Sequence, residues 1–114
     1  PISRSTSLNL MPKVRVLDAA ADEAIEAAAR YEAQQPGLGQ DFESAVDAAL
    51  DLLEEDFAPL VSMPGAAGMR GAKRIILKRF PYDVVVKEGD GEFLVIAVAH
   101  HSRSPGYWRD RLST

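Results

Sequence analysis

Cysteine is absent from this chain of 114 residues. Neither a disulfide framework nor a thiolate metal ligand is therefore available, and nothing points to secretion. Long apolar runs are missing too. The longest, Phe93-Leu-Val-Ile-Ala-Val-Ala99, falls far short of the roughly 18–20 residues that cross a bilayer, and no charged-then-apolar leader opens the chain. No phosphate-cradling loop occurs, because Gly65-x-x-Gly68-x-x-Gly71 lacks the Lys-Ser/Thr pair and the strand-to-helix setting. The histidines, His100 and His101, have no carboxylate at ligand spacing, so neither a metal nor a cofactor is expected. These absences point to a soluble cytoplasmic domain, long enough to bury roughly two-thirds of its unfolded surface.

The net charge of −4 argues against nonspecific binding to nucleic acid, but its distribution is uneven. Lys13 to Ser62 holds twelve acidic residues against three basic ones, a net of −9, whereas Met63 to Thr114 holds nine basic against five acidic, a net of +4. Such asymmetry fits either two interaction faces or acidic helices solvated beside a basic sheet edge.

Residues 1–12 are mostly polar and aperiodic and are expected to be a disordered tail or a cloning remnant, with Met11 a candidate native start. A single domain is expected over 13–114. Lys13–Leu17 alternates and reads as a strand. Asp18 is placed as the N-cap of an alanine-rich helix running to Gln35, whose apolar stripe is Ala21, Ile25, Ala28 and Tyr31. Pro36-Gly37 stops it. Leu38, Phe42, Ala45, Val46, Ala49, Leu52 and Leu53 trace one face of a second helix, folded back as a hairpin. Phe57 to Gly71, rich in proline and glycine, reads as a loop in which Met63 and Met69 fill gaps.

Three β-rich runs follow: Arg74–Arg79, Val84–Glu88 and Phe93–His101, broken at Pro81-Tyr82-Asp83 and at Gly89-Asp90-Gly91. The last is apolar enough for a central strand buried on both faces. The expected fold class is α+β in two layers: an N-terminal strand and a helix hairpin packed on an antiparallel sheet of about four strands, its opposite face partly open.

Within this order, Ala-Arg30-Tyr31-Glu32, Gly37-Leu38-Gly39-x-x-Phe42, Arg74-Ile-Ile-Leu-Lys-Arg-Phe-Pro-Tyr82 and Ala97-Val-Ala-His100-x-x-Arg103-x-Pro-x-Tyr107-Trp108 stand in sequence. The chain from Lys13 to about Leu112 resembles the RelE/ParE superfamily toxins of bacterial type II toxin–antitoxin systems, and its wording is similar to the ParE-like branch. The resemblance implies a toxin, serving functions such as plasmid stabilisation, whose partner is a cognate antitoxin wrapping the hairpin and sheet. The ParE-like branch implies DNA gyrase as target. The other branch implies ribosome-dependent cleavage of messenger RNA without a metal. Self-association as a homodimer is expected when the antitoxin is absent.

Cleavage of this kind needs a base for the 2′-hydroxyl, an acid for the leaving oxygen and cations for the phosphorane. The candidates are Arg74 and Lys78 on one strand face, with His100, His101, Arg103 and Tyr107 at the sheet end. In the ribonuclease branch a basic residue ends the last strand and a tyrosine follows; His101 or Arg103 matches the first and Tyr107 the second. Structural alternatives stand beside these. His100 reads equally as a hydrogen-bonded structural histidine, Arg103 as an ion-pair partner, Trp108 as packing and Tyr82 as a turn aromatic. For the antitoxin, Leu38, Phe42, Val46, Leu50 and Leu53 exceed what one helix face hides. A groove between hairpin and sheet is therefore expected, with Phe42, Val46 and Leu50 as apolar contacts and Asp47, Asp51 and Glu54 facing basic residues of the partner.

Overall fold

The computed structural model describes residues 13–89 and 91–113. The expectations for residues 1–12 lie outside them. β1 (Lys13–Val16) leads into α1 (Asp18–Gln34) and α2 (Leu38–Glu54). β2 (Val61–Ser62) and α3 (Gly65–Met69) follow, then β3 (Ala72–Ile76), β4 (Tyr82–Gly89), β5 (Glu92–His100) and a C-terminal 3-10 segment, Pro105–Ser113.

The two-layer α+β architecture is as the sequence reads, but the sheet has five strands in the order β1-β5-β4-β3-β2. β2 adds a strand within the stretch expected to be loop, and β1 pairs with β5 in parallel. The helix hairpin and the rest of the meander lie between β1 and β5 in the chain, a connection long enough to allow this parallel pairing. β5 lies between β1 and β4, and Phe93 to Ala99 are all buried. A bulge interrupts the β4–β5 ladder: Val85 pairs with Ala97 and Val86 with Val95, leaving Ile96 as the extra residue.

On one face, α1 and α2 pack with Phe42, Val46, Ala49 and Leu53 against Val84, Val86, Phe93, Val95 and Val98. The Phe80-Pro-Tyr82 turn locks hairpin to sheet. Tyr31, Phe42, Phe80 and Tyr82 pack mainly edge to face at centroid separations of 4.9–6.2 Å. Close approach of the helices depends on Gly39, where an added Cβ would meet the Ala28 carbonyl oxygen at 2.5 Å. Glu32 accepts from the Gly37 and Gly39 amides and so satisfies the start of α2.

The opposite face is more covered than its sequence implies. Met63 before α3, Ala67 in α3, and Trp108 and Leu112 of the C-terminal segment lie over Val85, Leu94, Ile96, Ala97 and Ala99. Trp108 is 1% exposed and is packing, as read from sequence. Met63 fills a gap there, but Met69 is 90% exposed. Three further expectations are corrected. Leu17, not Asp18, holds the N-cap position, and Asp18 lies in the first turn, where its charge suits the helix dipole. Ile25 is 66% exposed, because the buried line of α1 runs through Ala20, Ala27 and Ala28, about a hundred degrees round the helix. Leu52 is likewise rotated outward, beside fully buried Leu53.

Candidate functional site

The sheet end carries most of the polar candidates, and strand alternation divides them between two faces. Tyr82 pairs with His100 and Asp83 with Ala99, so Asp83 sits on the face covered by the C-terminal segment and Tyr82 on the helix face. Asp83 is buried, at 6% exposed, and was not singled out by the sequence, where it reads as turn chemistry. It accepts from Arg74 Nη1 at 3.1 Å and from His101 Nε2 at 2.9 Å. A carboxylate only accepts, so His101 donates to it from Nε2. Arg74 Nε is buried with no hydrogen-bond partner among the described residues. These groups, with His100, Arg103, Met63 and Trp108, line a pocket of about 140 Å³.

Across the sheet a smaller pocket, about 80 Å³, is lined by Glu23, Glu26, Arg30, Tyr82, His100, Arg103 and Tyr107. His100 stacks edge-on against Tyr82, and its Nδ1 accepts from the Ser102 amide at 3.0 Å. That bond closes the turn after β5 and gives His100 a structural task. Arg103 lies over the Tyr107 ring at 3.7 Å and touches both pockets. Burial, with the Glu23 carboxylate nearby, pushes the Tyr107 phenol well above its usual range, so it stays neutral at physiological pH. Lys78 does not join this group. β3 ends at Ile76, and Lys78 is exposed in the bend before Phe80, so it shares no strand face with Arg74. Arg74 and His101 thus meet on one face and Tyr107 lies on the other, while His100 and Arg103 line both pockets.

The groove between hairpin and sheet is present, about 290 Å³ in volume. Val46, Asp47 and Leu50 from α2 line it, together with Val16, Ala20, Ala21, Ala24 and Ile25 from β1 and α1, and Val95 and Val98 beneath. Glu43 stands with Asp47 as its charged lining. Phe42 does not reach it: it is fully buried under the aromatic cluster, which corrects the expectation of an apolar contact there. Asp51 and Glu54 are exposed on α2 beyond the lining. Sequence reasoning assigned Ile25 to the core and so missed it here, although a lone large side chain among α1 alanines marks a surface of its own. Among the described residues no helix is long and apolar enough to cross a membrane, and no three His, Asp or Glu side chains gather as a metal site.

Comparison with known proteins adds the fold. No model of a known protein family matches the sequence, and no curated protein matches it either. Among solved structures, the chain is similar to one described as "Chromosomal ParDE TA system from P. aeruginosa", with a TM-score of 0.63 and 15% identity over 79% of this chain and 96% of that one. The two share a fold.

Proposed function

We propose that this chain is the toxin of a type II toxin–antitoxin module, held inactive by a cognate antitoxin and acting, when released, on DNA gyrase in the cytoplasm. The observation that carries the reading is the groove between hairpin and sheet, apolar along its floor and edged by carboxylates, on a fold shared with a chain of a ParDE system. The chemistry fits an antitoxin segment with an apolar stripe flanked by lysine or arginine. Val46, Leu50 and Ile25 supply the apolar contacts, and Asp47 the nearest charge, with Asp51 and Glu54 further along α2. Without that partner the same surface favours a homodimer. The target is tested by supercoiling assays with protein freed of antitoxin. Inhibition of gyrase is expected, and none at high excess rules the target out.

A second reading, a metal-independent endonuclease acting on ribosome-bound messenger RNA, draws on one observation: Arg74, His101 and Arg103 line a single pocket. Against it, Arg74 is tied to Asp83, Tyr107 lies in the other pocket and Lys78 lines neither. Primer extension on translating ribosomes separates the two, since only the nuclease leaves codon-positioned cuts. Normal growth on expression without the antitoxin would instead leave a non-toxic binding module that has kept the fold.

A further inference from the structure

We propose that the β2 edge of the sheet is a contact surface for a second copy of this chain, joined about a two-fold axis beside Ser62. Of the large apolar side chains exposed among the described residues, only Val16 and Ile25 line the antitoxin groove. The others, Leu52, Phe57, Val61, Met69 and Ile76, belong to the end of α2 and to the elements around β2. The groove borders β1, and β2 is the far end of the sheet, so the groove does not account for them. Asp56, in left-handed backbone at φ 60°, turns the chain off α2. Phe57 then gives its amide to the Leu52 carbonyl at 2.9 Å and stands 76% exposed. Val61 pairs with Arg74, which sets Ile76, two residues further along β3, on the same face of the sheet. Met69 closes α3, the link between β2 and β3. Apolar side chains exposed together in this way mark a contact surface.

Backbone and charge together select a second copy as the occupant. Among the described residues β2 pairs only with β3, so its outer edge is open. Met63 donates its amide to the Ala72 carbonyl at 3.0 Å. By the alternation of an antiparallel ladder, Ser62 turns its own amide and carbonyl away from β3. Two such residues satisfy each other across a two-fold axis in a reciprocal pair of hydrogen bonds. Pro64, the next residue of that orientation, has no N–H, so pairing stops there and the contact closes as a dimer. Glu55 and Asp56, before β2, are exposed and form no ion pair among the described residues. Arg70, after α3, is exposed and donates to the Ser113 hydroxyl, with no carboxylate partner among the described residues. The edge thus runs from acidic through apolar to basic. A two-fold contact sets each end of one copy against the other end of its mate, so Glu55 approaches the partner's Arg70 twice over. The contact leaves the groove open, is distinct from self-association through it, and depends on neither the antitoxin nor the target.

The test is sedimentation velocity of the full chain without antitoxin, from about 1 μM to about 1 mM. A reversible monomer–dimer equilibrium is expected. Phe57→Ser should raise the dissociation constant at least about tenfold, since each copy loses an apolar anchor. Ile25→Ser reports on the alternative contact, through the groove. Both side chains are exposed, so both variants should melt as the parent does, followed by circular dichroism. Arg70→Glu and Glu55→Arg should each weaken the dimer, and the protein carrying both, in which the two charges are exchanged, should recover most of the parent affinity. A chain that stays monomeric throughout overturns the proposal and leaves the edge to a different partner. A dimer lost in Ile25→Ser but kept in Phe57→Ser places self-association in the groove and overturns it as well. So does a doubly exchanged protein that dimerises no more tightly than the single variants.

Discussion

Glu23 and Arg111 stand 88 positions apart and close a two-pronged ion pair, at 3.1 and 3.3 Å, over the edge of β5. β1 accompanies β5 only as far as Val95, and beyond it that edge of β5 has no neighbouring strand. Glu23 accepts from the Val98 amide at 3.1 Å, and Arg111 donates to the Ile96 carbonyl at 3.1 Å. One ion pair therefore completes a ladder that the strands do not. It also ties α1 to the C-terminal segment, whose Trp108 and Leu112 cover the far face of the sheet.

Loss of either partner exposes that edge. Glu23→Ala and Arg111→Ala should each destabilise the fold by about 1–3 kcal/mol, the range for a buried group left unpaired. The double variant should lose less than the sum of the two, because they share one network. Urea denaturation of the four proteins measures both effects. A Glu23→Ala protein as stable as its parent would show that water serves the Val98 amide equally well.

The helix hairpin turns on a contact that admits no side chain. At Gly39 a Cβ would lie 2.5 Å from the Ala28 carbonyl oxygen and 2.9 Å from Glu32 Cβ, and the first of these is backbone. Gly39→Ala must therefore push α1 and α2 apart, straining the bonds by which Glu32 holds the start of α2. A loss of about 1–3 kcal/mol is expected from the forced overpacking, measured by thermal or urea melts. Gly37, at φ 89°, faces open space, and its alanine variant should lose about 1–2 kcal/mol through left-handed backbone strain alone.

Alkaline pH addresses Tyr107. Its phenol is held neutral by burial and by the Glu23 carboxylate, so its folded pKa lies above the unfolded value of about 10. A raised pKa means that the folded state retains a proton which the unfolded state releases. The contribution is whole below about pH 10 and is lost as pH rises toward the folded value. Stability should therefore fall above about pH 10, and Tyr107→Phe should make that fall shallower. Part of the slope will persist, because burial also raises Tyr31. An identical slope in the two proteins would place Tyr107 in contact with solvent.

The elements written in a single period were legible from sequence. The unbroken apolar run of β5 marks a strand buried on both faces, and the spacing from Phe42 to Leu53 marks the buried face of α2. Relations set across the fold were not. Lys13–Val16 alternates equally well for parallel or antiparallel pairing, so the direction of β1 emerges only once the hairpin has fixed its return. Adjacent histidines look like one site in a string, yet only His100 ends β5 and reaches both pockets, while His101 stands in the turn beyond it against Asp83. Asp83 resembles a turn residue until Arg74 and His101 are brought against it. The groove was legible at Val46, Asp47 and Leu50. Its other wall, at Val16 and Ile25, was hidden because a stripe of alanines leaves the phase of α1 uncertain.

The antitoxin reading makes a demand on α2 that does not depend on the target. Asp47 lines the groove, Asp51 lies one turn further on, and both are exposed, so neither supports the core. Reversing them together, Asp47→Lys with Asp51→Lys, places two cations where the partner's basic residues are expected to lie. Stability should remain within about 0.5 kcal/mol of the parent, as for most surface substitutions. Antitoxin affinity should fall at least about tenfold, through repulsion as much as through lost attraction, and the remaining binding should weaken less as salt is added. Leu50→Ala should act differently. It removes apolar burial from the groove floor, costing affinity at any salt concentration by roughly 1.5–3 kcal/mol if the partner covers the side chain completely. Calorimetric titration of the cognate antitoxin into the three proteins, at low and physiological salt, separates the two contributions. If the doubly reversed protein binds as tightly as its parent at physiological salt, the acidic face of α2 is only a solvated surface. If Leu50→Ala is also without effect, the partner does not enter the groove.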